Sequence, residues 1–274
     1  VREAMLGDRV CQFNRSATGE SRPLHVAGRA VVCLMATGDP RRRPKSARAA
    51  FSGSMKTSVY GRSVRGLPLE VYLPESGKVT LLMIAGFHGA EPEGTVVLSR
   101  ALRAFEKIPD GVAVILAMNP DGVLLGSRAN ANGVDLNRNF PSANWQAEPV
   151  SYRWTLDDPE RVTIGTGSRP GSEPETQALI ELIDQLQPKM VVSLHGPLAC
   201  IDDPNKTPLG RALAQRTCLP LVTDIGYPTP GSFGTWAQER GLQVITYEFP
   251  DESVEWLTRE HGPVLEALLS GELA

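Results

Sequence analysis

The chain has 274 residues, of which 41% are hydrophobic and 22% charged, and its formal net charge at pH 7 is −3. This length suffices for one large α/β domain or two small ones. No apolar run approaches the roughly 18 residues needed to cross a bilayer, and a mildly acidic chain lacks the basic stripe typical of nucleic-acid binders. We therefore expect a globular protein that has neither a membrane nor a nucleic acid as partner, and whose oligomeric state is open.

The four cysteines have no regular spacing and form no CxxC pair; they are Cys11, Cys33, Cys200 and Cys218. This pattern predicts neither a disulfide scaffold nor a cysteine-based zinc finger. Reduced thiols in a cytoplasmic protein are the expectation.

The first 54 residues differ in composition from the rest of the chain. They hold ten Lys or Arg and four Asp or Glu, and they show no sustained helical or strand period. Their apolar stretch, residues 30–36, is short for a secretory signal. We expect residues 1–54 to be a disordered or non-native extension, with Met55 as the natural start and 55–274 as one domain; a targeting peptide or basic arm is the alternative.

From Tyr60 onward, apolar runs alternate with helical patterns. Continuous Val, Ile and Leu predict buried strands, and apolar residues at helical spacing predict helices. The strands fall at residues 79–85, 112–118, 190–194, 219–223 and 243–249, and the helices at 92–105, 172–186 and around 236–240. A capping box from Ser172 to Glu175 would open the second helix. The alternation predicts one α/β domain with a mostly parallel sheet covered on both faces.

Chemically active side chains follow these strands. His88 and Glu91 come after the first strand, His195 comes directly after the third, and Glu248 lies at the end of the last. Ligands collect beyond the carboxyl ends of such strands. Two histidines and one carboxylate, with a fourth position open, are the ligands typical of catalytic zinc. Asp135 could hold the tautomer of a ligand histidine, with a turn or capping role as the alternative.

A polar block over residues 127–141 holds two arginines and four asparagines, too polar for a core strand. A guanidinium has the shape that bidentate carboxylate binding needs. The block could therefore hold an anionic end of a substrate and stabilise an oxyanion, and a solvated loop is the alternative.

Together these residues resemble the motifs of the zinc metallocarboxypeptidases. The matching pieces, in family order, are His88-Gly89-Ala90-Glu91, Asn119-Pro120-Asp121-Gly122, Arg128, Asp135-Leu136-Asn137-Arg138-Asn139, His195, Tyr227 and Glu248. Further stretches resemble the murein peptide amidase group of that family, at residues 60–63, 128–141, 171–179, 197–201 and 230–234. The resemblance takes in no part of residues 1–54.

The resemblance implies a fold and a set of roles. The fold would be a three-layer α/β/α arrangement with a mostly parallel mixed central sheet. One zinc ion would be bound by His88, Glu91 and His195, with Asp135 behind the ligands and Glu248 as the general base. The remaining implied roles are an oxyanion contact from Arg128, a clamp on the substrate's α-carboxylate by Asn137 and Arg138, and closure over the ligand by Tyr227.

The implied reaction is hydrolysis of the γ-D-glutamyl–meso-diaminopimelate bond in free murein tripeptide, during cytoplasmic cell-wall peptide recycling. The diaminopimelate side chain ends in an ammonium and a carboxylate, which need a polar pocket. Gly234 and Thr235 occupy the stretch expected to line it. Asp202 and Asp203 could meet the ammonium, and solvated acids near a turn are the alternative.

Two positions depart from the pattern and leave fine specificity open. Ala90 stands where digestive carboxypeptidases carry an arginine, and Gly196 stands where an acid is expected in some murein amidases. One alternative is a zinc carboxypeptidase or amidohydrolase acting on other C-terminal residues or on N-acyl amino acids. A second is a non-catalytic cell-wall peptide binder, which the presence of Glu248 and all three ligands disfavours.

Overall fold

The computed structural model describes residues 55–152 and 161–273, together with two short strands near the N-terminus. These strands, β1 (Ala4–Leu6) and β2 (Arg9–Cys11), pair in antiparallel fashion within a separate unit, Val1–Ala50. The predicted extension over residues 1–54 otherwise lies outside the described residues, and its disorder stays a prediction.

An eight-stranded mixed sheet forms the centre of the second unit, Phe51–Ala274. Its strands are β3 (Thr57–Arg62), β4 (Pro68–Tyr72), β5 (Leu81–Ile84), β6 (Val112–Ile115), β9 (Met190–His195), β10 (Leu198–Asp202), β11 (Leu221–Val222) and β12 (Gln243–Pro250). Their order in the sheet is β11-β10-β12-β9-β5-β6-β4-β3. The central strands β12, β9, β5 and β6 run parallel, while β10, β4 and β3 join in antiparallel pairs. A separate antiparallel ribbon consists of β7 (Val150–Tyr152) and β8 (Val162–Ile164).

Helices cover both faces of this sheet. The described residues contain α1 (Pro92–Leu102), α2 (Pro120–Leu125), α3 (Pro174–Leu186), α4 (Pro208–Thr217), α5 (Phe233–Glu239), α6 (Val254–Glu260) and α7 (Gly262–Leu269). Within that part of the chain, no helix has both the length and the apolar character needed to cross a bilayer.

Two apolar cores lie on opposite sides of the sheet. Met83 of β5 packs with apolar residues of α1, α4, α6 and α7, whereas its neighbours Leu82 and Ile84 pack with α3 and α5. Successive side chains of a strand point to opposite faces, so a strand that is buried on both faces has to be apolar at every position. The predicted three-layer α/β/α fold is confirmed.

The start of α3 differs from the prediction. The helix runs to Leu186 as expected, but its N-cap is Glu173, which makes no side-chain capping bond. Ser172 Oγ instead donates to Glu173 Oε1 at 2.6 Å, and Asn130 and Asn132 donate to Glu173 Oε2. The predicted capping box is wrong because Ser172 Oγ bonds with Glu173 and Asn139, while the Glu175 carboxylate accepts from the backbone N–H of Val64 and from Asn130.

Candidate metal centre and active site

The parallel strands bring the predicted ligands to one edge of the sheet. His88 and Glu91 lie in the turn between β5 and α1, His195 is the last residue of β9, and Glu248 of β12 pairs with His195 in register. The turn approaches α2 so closely that a Cβ at Gly89 would overlap the backbone of Gly122. A glycine at position 89 therefore lets the turn lie close enough to place its two ligands.

Three side chains converge on one point. Ligand atoms of His88, Glu91 and His195 all lie within 4.8 Å of one another. His88 Nδ1 is 2.7 Å from Glu91 Oε1, and His195 Nδ1 is 3.0 Å from Glu91 Oε2. Both imidazoles are buried. Two imidazole nitrogens and a carboxylate at this spacing fit a tetrahedral zinc ion with its fourth position open.

Asp135 lies directly behind this cluster and is almost completely buried. Its Oδ1 is 3.1 Å from His88 Nε2, and its Oδ2 accepts a hydrogen bond from Arg128 Nε at 3.0 Å. A carboxylate on Nε2 favours the tautomer with the proton there and leaves Nδ1 free for a metal. This is the position that the sequence hypothesis assigned to Asp135.

Arg128 bridges Asp135 and a ligand carboxylate. Its Nη1 donates to Glu91 Oε1 at 2.9 Å, while Nη2 makes no hydrogen bond to any residue in the described ranges. The guanidinium also lies 5.3 Å from the ring centroid of Tyr152. Arg128 is thus held rigidly and keeps donor capacity for a further oxygen.

The charges in the cluster shift one another's pKa values. Burial raises the pKa of Glu91, but His88 and His195 outweigh it and lower that pKa. Burial likewise opposes ionisation of Asp135. The positive charge of Arg128, followed by His88, outweighs this effect and holds the pKa of Asp135 well below its usual range. For His195, burial is the largest influence and lowers the pKa. Ionised carboxylates and a neutral His195 are the forms in which these groups bind a metal.

Glu248 faces the same cluster from β12 and is only 7% exposed. Its Oε2 is buried without a hydrogen-bond partner among the described residues. Burial, followed by the charge of Glu91, raises the pKa of Glu248 to about 8. A divalent cation held by the three ligands would favour its carboxylate form. An unpaired carboxylate oxygen beside the candidate metal position is free to exchange a proton.

Arg138 supplies a positive charge to the cavity without forming a direct ion pair with any described residue. It is 8% exposed, donates Nη1 to the carbonyl of Asn137 at 2.7 Å, and belongs to none of the ion pairs in the described part of the chain. Asn137 Oδ1 accepts from the backbone N–H of Phe233 at 2.9 Å, which orients the amide group. A buried guanidinium without an acidic partner suits a ligand carboxylate.

All these groups open onto one cavity of about 750 Å³. Its lining includes His88, Glu91, Arg128, Asp135, Asn137, Arg138, His195, Asp202, Tyr227, Gly234, Thr235 and Glu248. Asp203, which the sequence also nominated, does not line it. Tyr227 lies at the rim with 49% of its surface exposed.

Sequence reasoning missed other lining residues. Tyr152 and Arg161 reach the cavity from the β7–β8 ribbon and its border. No motif marks either residue, and the alternation of the short strand that holds Tyr152 is too weak a signal over three residues.

Comparisons with known proteins agree with this geometry. A family model described as zinc carboxypeptidase matches residues 45–201. The chain is 52% identical over 210 residues to murein peptide amidase A of Escherichia coli K12, covering 76% of this chain and 86% of the relative. It is 45% identical over 229 residues to murein peptide amidase A of Vibrio campbellii, covering 82% and 91%.

Solved structures match as well. The crystal structure of murein-tripeptide amidase from Escherichia coli O157 aligns with a TM-score of 0.77 and 48% identity, covering 83% of this chain and 96% of that one. Thrombin-activatable fibrinolysis inhibitor aligns with a TM-score of 0.62 at 17% identity, covering 80% and 69%, a likeness of fold alone.

Proposed function

Because the chain belongs to the zinc carboxypeptidase family, we propose that this hydrolytic enzyme removes diaminopimelate from free murein tripeptide by cleaving the γ-D-glutamyl–meso-diaminopimelate bond. The observation that carries the proposal is one cavity that joins a three-ligand metal position, a buried carboxylate and the unpaired Arg138. The names of the two curated relatives and of the solved structure support the substrate.

His88, Glu91 and His195 would hold one zinc ion. When bound, zinc would polarise the scissile carbonyl and lower the pKa of a water molecule, so that the water can lose a proton and attack that carbonyl. Glu248 takes the proton from the attacking water and later delivers it to the leaving amine. Arg128, whose Nη2 has no described partner, donates to the oxygen on which negative charge develops.

The rest of the cavity orients the substrate. Arg138 and the oriented amide of Asn137 bind the free α-carboxylate of the C-terminal residue, and this selects the last amide bond for cleavage. Tyr227 at the rim covers the bound peptide. The physiological setting that we propose for this reaction is cytoplasmic recycling of cell-wall peptides.

The test is incubation of the zinc-loaded protein with L-Ala-γ-D-Glu-meso-diaminopimelate, followed by mass spectrometry of the products. We expect free diaminopimelate and the dipeptide L-Ala-D-Glu. Peptides that end in lysine or leucine serve as the comparison. Faster release of lysine or leucine would overturn the proposal in favour of an ordinary carboxypeptidase.

A further inference from the structure

The two aspartates at the end of β10 have different environments. Asp203 is fully buried, and its carboxylate accepts the backbone N–H groups of Asn205 and Thr207 at 3.1 and 2.6 Å and the Thr207 hydroxyl at 2.8 Å. These bonds shape the turn that leads into α4. Asp203 is therefore occupied by the fold, and the sequence hypothesis that both aspartates could meet a substrate ammonium is wrong for this residue.

Asp202 points to the cavity instead. It lines the cavity together with Thr246, its partner across β12, and its Oδ1 is buried without a hydrogen-bond partner among the described residues. None of the ion pairs within those ranges includes Asp202. A buried carboxylate oxygen that lacks a partner is costly, and a cationic ligand group would compensate for it.

The register of the strands relates Asp202 to the reacting groups. Cys200 pairs with Glu248, and Asp202 pairs with Thr246, two residues further along. Residues two apart share a face of the sheet and lie about 7 Å apart along it. Asp202 and Glu248 therefore project to the same side of the sheet, and the distance between them is comparable to the length of one extended side chain.

That separation matches the substrate. In diaminopimelate, five bonds join the α-carbon to the side-chain nitrogen, which spans about 6 Å when extended. With the scissile bond beside Glu248 and the α-carboxylate on Arg138, a side chain of this length can reach Asp202 within the same cavity.

Charge in this part of the cavity favours a cation. Burial, then the charges of Asp203 and Asp224, raises the pKa of Asp202 to about 6. Without a cationic ligand, the cavity thus disfavours the ionised form of Asp202, and a bound ammonium would favour that form.

On these grounds, and resting on the proposed function, we propose that Asp202 binds the side-chain ammonium of the C-terminal residue and selects diaminopimelate over residues that lack this group. It is a specificity residue for the substrate, while Asp203 is a structural residue of the α4 turn.

The experiment compares two tripeptides: one ending in meso-diaminopimelate, and an analogue ending in 2-aminopimelate, which keeps both carboxylates but lacks the side-chain amine. We expect the wild type to favour the first in kcat/KM by about 10- to 100-fold, the usual effect of a hydrogen bond to a charged group. Asp202→Asn should bring this ratio close to one, mainly through KM, and should hydrolyse the analogue at nearly the wild-type rate.

Asp184→Asn is the control, because Asp184 is exposed, pairs with Arg240 on the surface and does not line the cavity. It should keep the wild-type ratio. The Tm of Asp202→Asn should not fall below that of the wild type, since the substitution removes an unpaired buried charge.

The outcomes separate the two proposals. If the wild type releases nothing from either tripeptide, the proposed function fails and this inference fails with it. If the wild type hydrolyses the first tripeptide and Asp202→Asn keeps the wild-type ratio, the proposed function stands and the role of Asp202 is refuted. An equal loss on both tripeptides with a lowered Tm would make Asp202 a structural residue and also refute it.

Discussion

Replacing Asp135 by asparagine should weaken zinc binding and, at the same time, disturb the hydrogen bond that positions Arg128. Asp135 Oδ1 is 3.1 Å from His88 Nε2 and accepts the backbone N–H of Asn137 at 2.9 Å, while Oδ2 accepts Arg128 Nε at 3.0 Å. An asparagine has one oxygen and one NH₂ group. Whichever way the amide turns, its NH₂ group faces another N–H donor, either His88 Nε2 or Arg128 Nε.

The size of the effect follows from these contacts. The asparagine also removes the negative charge that makes His88 a stronger ligand. Loss of such a partner behind a metal ligand usually reduces metal affinity 10- to 100-fold, about 1.4–2.8 kcal/mol. At saturating zinc, kcat should still be reduced, because Arg128 loses one of its two carboxylate partners.

The assay is competition for zinc with a chromogenic chelator at neutral pH. Asp121→Asn is the matched control, since this buried carboxylate accepts from Ser63 Oγ and from the backbone N–H of Arg65, each at 3.0 Å, and contacts neither a predicted ligand nor Arg128. It should lower the free energy of unfolding and leave the zinc Kd within about twofold. Equal zinc Kd values for the Asp135 variant and the wild type would refute the reasoning.

Three further changes test other parts of the structure. Arg128→Ala should lower kcat about 100- to 1000-fold at saturating zinc, because it removes the oxyanion donor, and a loss below tenfold in a steady-state assay would contradict that role. Burial lowers the pKa of His261, whose Nδ1 is 2.6 Å from the Tyr247 hydroxyl, to about 4. Between that value and about 6.5 only the unfolded chain takes up the proton, so the free energy of unfolding should fall as pH drops, by about 2 kcal/mol from pH 7 to pH 5. Urea denaturation should show this component in the wild type and not in His261→Gln; identical pH dependence in both would refute it. Gly89→Ala should lower the free energy of unfolding by roughly 3 kcal/mol and weaken zinc binding, because its Cβ overlaps the backbone of Gly122. An unchanged Tm would show that the turn tolerates a side chain.

The central strands were predictable because burial on both faces requires an apolar residue at every position. Leu82 and Met83, neighbours on β5, are both fully buried on opposite faces, and such runs are visible in a sequence. Strands β3, β4 and β10 were not predicted, since each has exposed or half-buried polar positions over five or six residues.

The metal cluster was predictable for a related reason. His88, His195 and Glu248 follow or end strands that run parallel, and parallel strands bring their carboxyl ends to one edge. The difference between Asp202 and Asp203 was not predictable, because it depends on the partners that the turn before α4 provides. The position of Tyr152 against Arg128 likewise depends on tertiary packing of the β7–β8 ribbon.

The most direct test of the central claim is a zinc titration of the metal-free protein, followed by release of diaminopimelate from the murein tripeptide. We expect no release without metal and a rate that rises to a plateau at one zinc per chain. Glu248→Gln should bind the same single equivalent and release no diaminopimelate. Release by the metal-free protein, a plateau only at two equivalents, or a wild-type rate in Glu248→Gln would contradict this mechanism.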